Sequence, residues 1–167
     1  MSRGFVKEDD QEETPIVPQR AYLPDGVPNF VTPAGLEQLL EEKKMLINEK
    51  ENLDSTNENE KRIALNYLNA RLQLLNERIS GAKVVSPDEQ PHDEIRFGAS
   101  VTLRQEASGK LLTYRIVGVD ESDISKGKIS FISPFSRALI NKKTGDKVIL
   151  KQPKGDIVFE VIGITYL

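Results

Sequence analysis

Apolar residues recur at alternating spacings of three and four along two stretches of the chain. The first stretch begins at Thr32-Pro33, where a capping threonine and a proline suited to the first helical position indicate a helix start. Its repeating positions are Leu36, Leu39, Lys43, Leu46, Lys50 and Leu53, with Leu40 and Ile47 on the adjacent flank. The second stretch repeats at Leu65, Leu68, Leu72, Leu75 and Ile79, and Gly81 can end it. The spacing predicts two helices, each with a narrow coiled-coil seam.

The segment between the two seams is polar and runs from Asp54 to Lys61. A polar stretch between two amphipathic helices is the natural position for a turn, so we expect the helices to fold back as an antiparallel hairpin. With about 22 residues in each arm, the hairpin would project by roughly 33 Å. Its tip would carry the carboxylates of Asp54, Glu58 and Glu60.

From residue 97 onward the helical spacing gives way to alternation, which predicts several short strands separated by glycine-containing turns. Ser133-Pro134 opens a short helix whose apolar residues, Phe135, Ala138 and Leu139, would face a sheet. The predicted fold class is therefore α+β, with an N-terminal antiparallel α-helical coiled-coil hairpin followed by an antiparallel β-sheet domain with one short helix.

The same patterns divide the chain into four parts. Residues 1–31 are acidic and rich in proline, a composition typical of a disordered tail. We assign residues 32–83 to the hairpin, 84–96 to a flexible linker and 97–167 to the C-terminal domain. Because the linker looks flexible, the direction of the hairpin relative to that domain stays open.

Composition removes several kinds of chemistry. The 167-residue chain has no cysteine and a single histidine, which excludes disulfides, Cys/His zinc sites and cysteine nucleophiles. His92 lies in a polar, proline-bracketed connector, where we expect a solvated side chain and no catalytic triad. A net charge of −3 argues against sequence-independent binding to duplex DNA. No apolar run approaches the ~20 residues that span a bilayer, so a cytoplasmic location without membrane contact is the expectation.

The last seventy or so residues resemble the C-terminal domain of the bacterial GreA/GreB transcript-cleavage factors. The resemblance is carried by Gly98-Ala99-Ser100-Val101-Thr102-Leu103, Tyr114 to Asp123, Gly127-Lys128-Ile129-Ser130, Ser133 to Ile140, Gly145-Asp146-Lys147-Val148 and Phe159 to Tyr166. It implies an FKBP-like domain that docks on RNA polymerase beside the secondary channel, with the hairpin entering that channel. It also implies an accessory factor and not an enzyme, with no cofactor of its own and with nascent RNA or DNA contacted only indirectly.

The resemblance also implies site residues. At the hairpin tip, Asp54 and Glu58, and less so Glu60, would help to hold a Mg²⁺ ion of the polymerase in trans. Magnesium favours oxygen ligands, which suits carboxylates. Ser133, Pro134 and Arg137 would contact the polymerase, although Arg137 could instead pair with Asp120 or Asp123.

The tip departs from the family pattern in two ways. Three residues separate Asp54 from Glu58 where the family has two, and each arm is about two turns shorter, which at 5.4 Å per turn withdraws the tip by roughly 10 Å. The tip carboxylates could thus be an ordinary solvated turn. A regulator that occupies the channel without promoting cleavage is the alternative.

Two further classes stay open. A peptidyl-prolyl isomerase would need an aromatic-lined pocket, and the domain has no Trp and few aromatic residues. A coiled-coil interaction module unrelated to transcription would leave the C-terminal match unexplained. Because the hairpin satisfies its own seam, we expect a monomer.

Overall fold

The computed structural model describes residues 14–167. Its helices and strands follow one another as β1 (Asn29–Val31), α1 (Pro33–Glu51), α2 (Glu58–Ser80), β2 (Ala82–Val84), β3 (Ser100–Gln105), β4 (Leu111–Val117), β5 (Lys128–Ser130), α3 (Pro134–Leu139), β6 (Lys147–Leu150) and β7 (Ile157–Thr165). Short 3₁₀ turns lie at 87–89, 119–121 and 124–126. Within these described residues no helix is long and apolar enough to cross a membrane.

Helices α1 and α2 form the predicted hairpin. Thr32 caps α1, its hydroxyl oxygen accepting a hydrogen bond from Gly35 N at 2.9 Å, and Pro33 takes the first helical position. The residues that pack the two arms together are the seam leucines at Leu39, Leu46, Leu68, Leu72 and Leu75, all buried. Gly81 ends α2 in the right-handed region, with φ −87°, so its role as a helix end does not use a left-handed conformation.

The turn at the tip is shorter than the sequence pattern suggested. Helix α2 begins at Glu58, so the connection comprises residues 52–57, and Glu58 and Glu60 lie in the first helical turn. Asn57 makes this possible because its side chain caps the helix. The 19 and 23 residues of the two arms correspond to roughly 28 and 34 Å.

The C-terminal half is a five-stranded sheet in the order β5-β4-β3-β7-β6. Neighbouring strands are antiparallel except for β4 and β5, which are parallel because the chain crosses back through residues 118–127 before β5 begins. The α+β class, with a hairpin followed by a sheet domain and one short helix, is confirmed, and the sheet is mixed where a wholly antiparallel one was expected.

One face of this sheet and helix α3 enclose the larger core. Its buried members are Ile95, Ala99, Val101, Leu103, Ile116, Ile129, Leu139, Val148, Phe159 and Val161. The alternation in β3 places Val101 and Leu103 inward, as the sequence pattern predicted. Leu139 brings α3 into the same core, so the position of that helix is fixed by apolar burial.

Ordered contacts begin before the hairpin. Strand β1 pairs in parallel with β2, from Asn29 opposite Ala82 to Val31 opposite Val84. The last residues of the predicted disordered tail, 29–31, are therefore ordered in the structure, and Val31 is buried in the hairpin core. The acidic cluster of that tail lies outside the described residues. The division into tail, hairpin, linker and domain stays a prediction as a whole.

The predicted linker is anchored at its far end by Tyr166, the residue that follows β7. The Tyr166 hydroxyl donates to the Glu94 carbonyl oxygen at 2.6 Å and accepts from Arg96 N at 2.7 Å. Ile95, between them, is fully buried. Ring contact with Tyr166, at 5.4 Å between centroids, also holds His92, which is exposed as expected.

The hairpin meets the C-terminal domain at a buried carboxylate. Glu121, 8% exposed, accepts hydrogen bonds from Thr32 N and Gly118 N, each at 3.1 Å, and from the Thr32 hydroxyl. Gly35 leaves the space for this carboxylate, since a Cβ there would lie 2.2 Å from Glu121 Cδ. Phe30 adds an apolar contact by packing against Phe97 and Phe131.

We predict that Gly35→Ala destabilises the protein by about 1–3 kcal/mol, as overpacking does, although alanine favours helix by about 1 kcal/mol. The Glu121 carboxylate would have to move and give up its three hydrogen bonds. Urea unfolding measures the change. The control is Gly81→Ala, where the new Cβ meets only Glu77 O at 3.5 Å; equal loss in both variants would contradict the steric argument.

We also predict that Tyr166 makes the protein less stable at alkaline pH. Burial raises the pKa of the Tyr166 phenol above its ordinary value. The contribution of the buried, neutral phenol to the free energy of unfolding is therefore complete below the pKa of about 10 that it has in the unfolded chain. This contribution is lost as pH rises through the pKa of the folded state. Unfolding free energies at about pH 8 and about pH 10.5, either side of that value, should differ less in Tyr166→Phe than in the parent. Exposed Tyr22→Phe should keep the parental difference.

Candidate functional site

The hairpin tip is held by its own polar residues. Asn57 Oδ1 accepts hydrogen bonds from Asn59 N at 2.9 Å and Glu60 N at 3.2 Å, which satisfies two of the free N–H groups at the start of α2. The Ser55 hydroxyl donates to the Asn57 carbonyl oxygen at 3.2 Å. The tip is thus a capped turn whose backbone is fixed without using Asp54.

The three tip carboxylates are exposed to solvent. Glu58 and Glu60 lie in the first turn of α2, where the helix dipole favours negative charge. Glu60 Oε2 is 3.4 Å from Ser55 Oγ, whereas no hydrogen bond or ion pair holds the Asp54 side chain among residues 14–167. Two acids are therefore placed by a helix and the third by the turn.

These carboxylates do not make a metal site by themselves. Across the described part of the chain, no group of three or more Asp, Glu, His or Cys side chains is placed to hold an ion. Asp54 and Glu58 are hard oxygen donors with unoccupied lone pairs, which fits a divalent ion already coordinated by another molecule. The arrangement can supply one or two ligands, and not a complete coordination shell.

The second predicted contact lies at the start of α3. Ser133 caps this helix, its hydroxyl oxygen accepting from Ser136 N at 3.2 Å, and Pro134 occupies the first helical position. The buried Ser136 hydroxyl donates to the Ser130 carbonyl oxygen at 2.6 Å, so the helix start is bonded to the end of β5. Ser133 is therefore needed for local structure, whatever else it contacts.

Arg137 extends from the same helix and is exposed. Neither Asp120 nor Asp123, the two acids that the sequence offered as internal partners, is paired with Arg137. Asp123 accepts from the Ser125 hydroxyl at 2.6 Å, which lowers the pKa of that carboxyl, and Asp120 pairs with Arg20 and Arg78. Arg137 thus leaves its guanidinium available to a partner, together with exposed Pro134.

The sequence predicted two groups of site residues, and they lie on different parts of the molecule. Asp54 and Glu58 are at the end of the hairpin. The other group is on the sheet domain and comprises Ser133, Pro134 and Arg137. Sequence reasoning missed the residues that join the two parts, namely Arg20 and Glu121. A signal for Glu121 existed, because Gly35 in the first turn of a helix is unfavourable unless another group approaches closely.

The class of this protein is shown by its sequence relatives. The family model described as transcription elongation factor, GreA/GreB, C-term, matches residues 90–166. Transcription elongation factor GreB of Neisseria meningitidis is 33% identical over 156 residues, which cover 83% of this chain and 94% of the relative. The chain belongs to the GreA/GreB family, which confirms the resemblance seen in the sequence.

Other relatives match over a shorter region. Transcription elongation factor GreA of Syntrophotalea carbinolica is 43% identical over 101 residues. This match covers 60% of this chain, which spans 64% of the length of the relative. Among solved structures, GreA factor homolog 1 (Gfh1) of Thermus thermophilus is 27% identical and covers 81% of this chain and 97% of its own, with a TM-score of 0.40. The family assignment rests on the sequence matches. Both curated relatives are named as transcription elongation factors, the class that the resemblance implied.

We predict that Asn57→Ala loosens the start of α2. Loss of an N-cap costs about 1 kcal/mol, which corresponds to roughly fivefold faster amide exchange at Asn59 and Glu60. Exposed Thr56→Ala is the control because it leaves the cap in place. Unchanged exchange in Asn57→Ala would show that the Asn57 side chain does not fix the tip.

Proposed function

We propose that this protein is a transcription elongation regulator that binds bacterial RNA polymerase at the secondary channel through its C-terminal domain. The observation that carries the proposal is the match of residues 90–166 to the GreA/GreB C-terminal model, together with a GreB relative aligned over most of both chains. We infer a monomer that acts in the cytoplasm on the polymerase, whose contacts with nascent RNA or DNA are indirect.

The docking contact is assigned to the start of α3. Exposed Pro134 and the exposed guanidinium of Arg137 lie beside each other on a helix that is rigidly held by the Ser136 hydrogen bond to β5. Arg137 makes no ion pair with the described residues 14–167, so it gives up none of these when it binds an acidic partner, and its planar fork suits a carboxylate. Ser133 supports this contact by capping the helix.

The hairpin is assigned to the channel. Its seam is satisfied within the pair of arms, so the rod needs no second chain to stay folded, and arms of roughly 28 and 34 Å are long enough to enter a cavity in a larger protein. The polar, capped tip would be the first part to reach the interior.

At the tip, we assign to Asp54 and Glu58 the role of oxygen ligands offered to the polymerase. A divalent ion of the polymerase would there supply the activation of a water for hydrolysis of backtracked RNA. The chain's own contribution is placement: Asn57 fixes the start of α2 and with it Glu58, while Asp54 is free to turn toward the ion. The chain thereby acts on the active site of another enzyme.

A second function within the same complex is favoured by the arm lengths. Helix α1 has 19 residues, and the resemblance to the cleavage factors implies arms about two turns, or roughly 10 Å, shorter than theirs. A tip withdrawn by that distance would not reach an ion buried at the end of the channel. The hairpin would then regulate elongation by occupying the channel alone.

Transcript cleavage on backtracked elongation complexes separates these functions. The test compares the parent with Asp54→Asn/Glu58→Gln, which removes both charges at nearly constant shape, and with the control Glu49→Gln, an exposed acid on α1 away from the tip. We expect all three to bind polymerase and only the double variant to lose cleavage, by at least tenfold.

Other outcomes have defined meanings. Binding without cleavage by the parent supports the channel-occupying function and contradicts the ligand role of the tip. Equal cleavage by the parent and the double variant also contradicts that role. Absence of binding by the parent overturns the proposed function.

A further inference from the structure

The first described segment, residues 14–28, crosses the junction between the hairpin and the C-terminal domain. It contains neither helix nor strand, and none of its residues is buried. Residues between Pro15 and Leu23 line a cavity together with Leu74, Glu77 and Arg78 of α2. Because the segment buries little apolar surface, its position depends on a few polar contacts.

Arg20 makes the central contact. Its Nη1 and Nη2 donate to the two carboxylate oxygens of Glu42 at 2.8 and 3.0 Å, and its Nε donates to Asp120 Oδ1 at 3.2 Å. Glu42 lies on α1, whereas Asp120 lies in the 119–121 turn of the sheet domain. One guanidinium therefore bonds the hairpin and the domain at the same time.

Arg78 of α2 completes the cluster. Its Nη2 donates to the Ala21 carbonyl oxygen, and its Nε lies 3.6 Å from Asp120 Oδ2. That carboxylate oxygen is buried and accepts no hydrogen bond from the described residues, so the approach of Arg78 is its main compensation. The side chains of Arg20, Arg78 and Asp120 are 17%, 14% and 9% exposed, which shields these pairs from solvent screening.

A hairpin attached to the C-terminal domain at one place can rotate about it, whereas attachment at two places fixes its direction. The Glu121 carboxylate and the packing of Phe30 hold the start of α1, and this place alone would act as a pivot. Glu42 lies ten residues further along the helix, about 15 Å from Thr32. The contact through Arg20 therefore acts at a distance from the pivot, where a small force resists rotation of the rod.

We propose that residues 15–23 are a clasp, in which Arg20 fixes the direction of the hairpin relative to the C-terminal domain by bridging Glu42 and Asp120. The clasp lies outside the residues matched by the family model. It is a property of the free protein and does not depend on the proposed function.

The absence of cysteine from the chain makes the direction of the hairpin measurable. Spin labels are attached to Glu49→Cys on α1 and Ile149→Cys on β6, both exposed positions on regular elements. Pulsed electron paramagnetic resonance then gives the distribution of the distance between hairpin and domain in the full chain, without polymerase.

We expect one narrow distance in the parent. In Arg20→Ala the distribution should become at least twice as wide or split into two, because Glu42 and Asp120 then lose their common partner. Arg20→Lys should be intermediate, since an ammonium lacks the planar fork that reaches both carboxylates. The matched control Lys44→Ala removes an exposed cation of α1 outside the cluster and should leave the distribution unchanged.

Glu42→Gln tests the same bridge from the hairpin side and should also widen the distribution. Amide protection of β3 and β7 should stay at the parental level, which distinguishes a loosened junction from an unfolded sheet. The clasp is refuted if Arg20→Ala and Glu42→Gln keep the narrow parental distance. Widening that occurs only together with loss of protection in the sheet would count against it equally.

Discussion

The arrangement of this molecule depends on the carboxylate of Glu121. It is buried where the hairpin begins, and it accepts hydrogen bonds from both the first turn of α1 and the backbone of its own domain. A buried carboxylate is tolerated only when its oxygens are satisfied, so Thr32, Gly35 and Gly118 are constrained together. At Gly118 a Cβ would lie 2.6 Å from the Phe30 carbonyl oxygen, which makes this glycine as necessary as Gly35. A single polar group thus determines where the rod is attached.

The two parts of the chain are built on different physical principles. The hairpin is held by a seam of leucines from both arms, and Leu40, Met45 and Ile63 lie exposed outside this seam. The sheet domain encloses a three-dimensional core, to which one face of the sheet and α3 contribute apolar side chains. Such a rod presents a tip to a partner, whereas such a domain presents a rigid face. The roles proposed for the tip acids and for α3 follow this division.

Most of the regular structure could be predicted because its signals are local. The caps at Thr32 and Ser133, the prolines that follow them and the leucine spacing each specify a helix from within a few residues. The family likeness is also a sequence property and was recognised from the sheet domain. The position of the tip between the two seams agrees with the sequence pattern, but the turn is shorter than expected, because the Asn57 side chain caps α2 and the helix begins at Glu58.

What could not be predicted depends on contacts between distant residues. Arg20 and Asp120 are separated by one hundred positions, and nothing near either residue indicates the other. Parallel pairing of β4 with β5 follows from the path of the crossover and not from alternation within the strands. The proposed roles of Asp54, Glu58 and Arg137 depend on contacts with a second molecule.

The small β1–β2 sheet brings together Asn29 and Ala82, which lie 53 positions apart and flank the whole hairpin. If the intervening chain were flexible, closing so long a loop for three residue pairs would cost more entropy than the pairs return. Helices α1 and α2 remove most of that cost, because a folded hairpin delivers its two ends to the same place. This entropy cost favours one order of folding. Helices α1 and α2 form and pack along the leucine seam first, and β1 pairs with β2 afterwards, when the hairpin has already brought the two strands together.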